Sequence, residues 1–129
     1  MENSKFLKVL LIVLGIMLIT LGSFRLFDPI GFFKNSGLTI GNIPGILSET
    51  RGTGGVVVGA GLIILLGAFN KQLTFTSIIM ATTIFLGFGS ARLIGIMIDG
   101  VPGNEVLQGL FFELLLGSIT LISFWKYKI

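Results

Sequence analysis

The chain has 129 residues, 53% hydrophobic and 12% charged, with a formal net charge of +3, where soluble domains carry about 25% charged residues; with a mean hydropathy of +1.00 this composition describes a membrane protein. The sequence has no cysteine and no histidine, which excludes disulfide frameworks, thiolate or imidazole metal sites, cysteine nucleophiles and histidine bases. Its basic residues stand singly at the ends of apolar runs, leaving no patch for a nucleic-acid backbone.

About 20 apolar residues cross a hydrocarbon core, and four such runs predict an all-α integral membrane four-helix bundle with antiparallel up-down topology and a long first outer loop, forming one domain over residues 1–129. The first span is placed at about 6–25, behind Lys5 and Lys8. Its basic start imitates a secretory signal, but no small-x-small cleavage site follows Gly22 and Ser23, so it is read as an uncleaved span. Residues 26–50 read as a loop, because Pro29, Pro44, several glycines and Lys34-Asn35-Ser36 punctuate them. The loop is nevertheless rich in apolar residues such as Phe32, Phe33 and Ile46, which suits either an interfacial segment or a lid folded over a cavity.

The second span is placed at about 52–69, and the link Asn70-Lys71-Gln72 is short enough to make it an antiparallel neighbour of the third, at about 73–98. Asp99-Gly100-Val101-Pro102-Gly103-Asn104 stops the third, and the fourth runs over about 105–125. All three prolines are read as loop residues. Lys5, Lys8, Lys71, Lys126 and Lys128 fall on one side, and Arg25, Lys34 and Arg51 on the other. The positive-inside rule then puts both termini in the cytoplasm, with Trp125 and Tyr127 in the interfacial aromatic belt. A bacterial inner (plasma) membrane is the expected location.

Helix association in a bilayer needs close backbone approach or interhelical hydrogen bonds. Gly87, Ala91 and Gly95 repeat at four-residue spacing, Gly55 and Gly59 do the same in the second span, and Gly109 and Gly117 flank Glu113. These seven positions are read as helix-packing faces. A phosphate-binding loop at Arg51 and the following glycines is rejected, since the run continues directly into a membrane helix.

Two charges stand where lipid should be. At 1.5 Å per residue, Arg92 lies about 10 Å inside the Asp99 end of its span, and Glu113 about 12 Å inside the Glu105 end of the next. Matching depth on consecutive helices makes them partners, with Arg51, Asp99 and Glu105 completing a charge cluster at that end. Three readings stay open: a neutralised staple that fixes helix register, a snorkelling arginine, or an outer polar cavity in which arginines hold an anion or Glu113 carries a proton.

RGTGG at 51–55, SARLIG at 90–95, IDGVPG at 98–103 and the glutamate of FFELLLG at 113 resemble a family of small bacterial four-span membrane proteins catalogued as a domain of unknown function. The resemblance covers almost the whole chain and implies a fold without an activity. A more distant likeness, in size, span number and glycine-rich second helix, is to DoxX-like membrane proteins, some of which resemble subunits of quinone-linked oxidoreductases.

The expected function is an integral subunit or scaffold, packing through its small-residue faces against another membrane protein or a second copy. The alternative is a binding or transport module for a small anion or anionic lipid headgroup on Arg92 and Glu113. An enzyme using Glu113 with Asp99 or Glu105 as acid and base ranks third. No catalytic residue, cofactor or metal is assigned, and the bilayer is the one obligate partner.

Overall fold

In the computed structural model an uninterrupted apolar run folds as helix α1, Lys5–Phe27. A helix satisfies its own backbone polar groups, which lipid cannot do. The structure describes residues 5–128, and the side chains of Tyr127 and Lys128, read above as belt and orientation residues, lie outside the described set. A short helix, α2, follows at Pro29–Asn35, with Asp28 as its N-cap: the carboxylate accepts the Gly31 N–H at 3.0 Å. Then come α3, Pro44–Phe69, α4, Lys71–Asp99, and α5, Asn104–Lys128. Asn70 alone separates α3 from α4, and its side chain accepts the Gln72 N–H at 2.9 Å. All but α2 are long and apolar enough to cross a membrane.

The loop expected over 26–50 is thus largely helical, and only Asp28 and residues 36–43 are irregular. Pro29 and Pro44 are not loop residues: each stands in the first turn of a helix, where its missing N–H would have had no partner anyway and its fixed φ favours the helix. Pro102 remains in the α4–α5 connection.

The dominant interface is α1 on α3, with α3 also packed on α4 and α4 on α5. Gly15 faces Gly61 and Gly22 faces Gly54 across α1 and α3, so closely that a Cβ on Gly54 would stand 2.8 Å from the Gly22 carbonyl oxygen and one on Gly61 2.9 Å from that of Gly15. The α3–α4 hairpin is tied by two buried hydroxyls, Ser77 donating to the Ile63 carbonyl and Thr74 to that of Gly67, both at 2.8 Å. Between α4 and α5, Gly89 receives Leu114 and Gly117 receives Leu86, and the Thr82 hydroxyl donates to that of Thr120 at 3.0 Å.

Most of the expected packing positions make no close helix contact within the chain. A Cβ at Gly55, Gly59, Gly87, Gly95 or Gly109 would meet nothing within 4 Å, and Ala91 is exposed; of the seven, Gly117 is the one packed against another helix. The reason is phase. One residue turns a helix by about 100°, so Gly55 points well away from the Gly54 and Gly61 face, and Gly87 and Ala91 lie two residues from Gly89 on a different side of α4.

Packing is not carried round to join α1 to α5 along their length. The cleft left between them holds the candidate site.

Candidate ligand cavity

The cleft contains a cavity of about 290 Å³ whose long walls come from α1, α4 and α5. On α1 the lining residues run from Met17 to Arg25, and on α4 from Ile84 to Arg92. Each stretch is nine residues long, eight helical steps or about 12 Å of helix. Val57 of α3 contributes at the back, and Phe32 brings α2 to the mouth. Leu21, Ile84, Phe85, Phe112 and Leu116 make most of the wall apolar, while its charged lining residues, Arg25, Arg92 and Glu113, stand towards the α2 end.

Arg92 Nε donates to Glu113 Oε1 at 2.7 Å, with the two side chains 35% and 18% exposed. This contact is single, through Nε, so the terminal guanidinium nitrogens of Arg92 have no acceptor among the described residues. The Phe88 ring, 5.8 Å from the guanidinium, supports it from the side. Arg25 is held similarly. Its Nε donates to the Thr50 carbonyl at 3.3 Å, and its guanidinium lies 5.6 Å from the Phe32 ring and 5.0 Å from that of Phe33. Cation–π contacts of this kind orient the group without occupying its N–H donors. Arg25 and Arg92 line the same cavity, so two like charges face one void.

The structure therefore brings Arg92 and Glu113 together and adds Arg25, which the sequence places at the same end of the bundle without marking it as part of the charge cluster. The signal that could have found it is the aromatic set Phe24, Phe32 and Phe33 beside a cation at the end of an apolar run. Arg51, Asp99 and Glu105 are not in the cavity lining. Arg51 is exposed and donates to the Leu26 and Phe27 carbonyls at 2.6 and 3.4 Å, closing the C-terminus of α1 where such carbonyls lack helical partners. Asp99 is the exposed last residue of α4, and Glu105 lies in the first turn of α5 with its carboxylate beside Gly37. Gly109 does line the cavity, and a side chain there would meet open space.

Chemically, two guanidiniums with uncommitted terminal donors at the end of an apolar slot can hold an anion whose remainder is apolar. Among the described residues no group of three or more acidic, histidine or cysteine side chains is placed to hold a metal ion.

A family model described as a domain of unknown function (DUF4345) matches residues 6–124, and the chain belongs to that family. No curated protein and no solved structure matches it.

Proposed function

We propose that this member of the DUF4345 family binds a single-chain anionic amphiphile in the cleft between α1, α4 and α5, apolar chain along the slot and head on Arg25 and Arg92. The observation that carries the reading is an apolar slot about 12 Å long ending in two arginines whose terminal donors have no acceptor among the described residues. These donors are open to the cleft, Arg92 being 35% exposed, and an anionic head would take charge-assisted hydrogen bonds from them. Ligand sites are commonly apolar concavities with a few convergent polar groups, about 300–1,000 Å³ in volume, and this cavity falls near the lower bound.

In this reading the chain sits in a bacterial inner membrane with both termini cytoplasmic, following its basic residues, and the charged end of the cavity belongs to the outer half of the bilayer. Maleimide labelling checks the orientation: Ser36→Cys reacts from outside and Lys71→Cys from inside, whereas labelling from the same side contradicts the topology.

Decanoate tests the binding. Added to protein in lipid nanodiscs, it should raise the melting temperature by several degrees, since ligand at 100 times Kd stabilises by about 2.7 kcal/mol. Gly109→Leu, which puts a side chain into open space on the cavity wall, should abolish the shift while keeping the unliganded melting temperature. Equal shifts in both proteins, or none in either, would refute the reading.

A second reading, an integral subunit of a larger membrane complex, is favoured by the outward Gly55, Gly59, Gly87 and Ala91, whose small side chains let another helix approach closely. Ala91→Leu would then dissociate a co-purified complex without changing decanoate binding. The DoxX-like resemblance contributes no residue to either reading.

A further inference from the structure

We infer that Glu113 is the selectivity residue of this cavity: paired with Arg92, it sets the head site at one net positive charge, so that a monoanionic amphiphile is taken in preference to a dianionic, neutral or cationic one with the same chain. The inference rests on the amphiphile-binding reading. The charged side chains lining the cavity are Arg25, Arg92 and Glu113, two positive and one negative. Neighbouring charges are committed elsewhere or point away: Arg51 to the end of α1, Asp28 to the start of α2, and Asp99 and Glu105 to exposed positions.

Between apolar helices and partly shielded from water, with Arg92 and Glu113 35% and 18% exposed, uncompensated charge is more expensive than in bulk water. A monoanionic head brings the occupied site to neutrality. A neutral head leaves the excess positive charge in place, a dianionic head overshoots to a net negative charge beside Glu113, and a cationic head adds to the excess. Geometry agrees with the charge count. Glu113 binds Arg92 through Nε, and Thr50 binds Arg25 through Nε, so in both residues the outer pair of nitrogens is left for the head. Such a planar pair suits two oxygens of one carboxylate, sulfate or phosphodiester. Glu113 therefore tunes the charge of the site without blocking the donors.

The test compares decyl sulfate with decyl phosphate at about pH 8, where a phosphate monoester carries close to two negative charges. Binding is measured calorimetrically in phosphatidylcholine nanodiscs, with Gly109→Leu nanodiscs giving the background of partition into lipid. Wild-type protein should bind decyl sulfate at least about tenfold more tightly than decyl phosphate, and Glu113→Gln, whose site carries two net positive charges, should abolish or reverse that preference. Arg25→Met gives an independent arm: with no net charge left, decyl sulfate should no longer outcompete decanol, and this comparison decides if Glu113→Gln does not fold. Wild-type binding that does not discriminate between the two heads, or a preference unchanged in Glu113→Gln, overturns the role of Glu113 while leaving the binding reading intact. No binding of either probe above the Gly109→Leu background overturns both.

Discussion

Gly54→Leu and Gly61→Leu are expected to abolish recovery of monodisperse folded protein, and the milder Gly54→Ala and Gly61→Ala to cost about 1–3 kcal/mol each, the range for overpacking a well-fitted contact. The obstacle at both sites is backbone: a Cβ on Gly54 would lie 2.8 Å from the Gly22 carbonyl oxygen and also 2.8 Å from the Leu26 nitrogen. No rotamer change relieves such a clash, so α1 and α3 would have to separate along the largest interface in the molecule. Lipid offers no hydrophobic gain to hold them together once close packing is lost. Gly59→Leu and Gly87→Leu, where a new side chain meets open space, should leave thermal unfolding in detergent nearly unchanged. Comparable losses in all four leucine variants would contradict the assigned register.

The second large effect is expected at Arg92 and Glu113. Removing one partner leaves a charge at bilayer depth, which on insertion scales costs about 2.5–3.5 kcal/mol at the centre of a span and less here, because Arg92 is 35% exposed. The two single variants should differ. Arg92→Met leaves a carboxylate that a proton can neutralise, whereas Glu113→Gln leaves a guanidinium that stays charged beside Arg25. Glu113→Gln should therefore be the more destabilising, and the double variant Arg92→Met with Glu113→Gln should recover much of the loss, as neighbours in one ion pair are strongly non-additive. Strictly additive melting temperatures would mean that the pair contributes nothing as a pair.

The apolar spans were legible because the bilayer imposes a length and forbids exposed backbone polar groups, and α1, α4 and α5 fall close to their expected bounds. The juxtaposition of Arg92 with Glu113 followed from helical rise alone, since two charges at one depth on consecutive antiparallel helices have few other partners. Phase was harder to read. The four-residue stripe Gly87, Ala91, Gly95 is a sound mark of a smooth helix face, but smoothness does not say which neighbour the face meets. The informative signal was the seven-residue spacing shared by Gly15 and Gly22 with Gly54 and Gly61, which places two glycine pairs in antiparallel register. Likewise, the glycine and polar residues around Pro29 and Pro44 make both prolines look like breakers, although proline in a first turn starts a helix as well as it ends one. Arg25 is legible as a charge at that end of the bundle but not as a site residue, because its place in the site depends on α2 folding back to set Phe32 and Phe33 against it, a tertiary contact with no periodic trace in the sequence.

Native mass spectrometry of protein extracted in polymer-bounded native membrane, without detergent, tests the occupied cavity most directly. Wild-type chains should carry one monoanionic single-chain amphiphile per chain, and Gly109→Leu chains prepared in parallel should carry none. Wild-type chains free of any such adduct, or the same adduct at the same occupancy in Gly109→Leu, would contradict the assignment of the α1–α4–α5 cleft as a binding site.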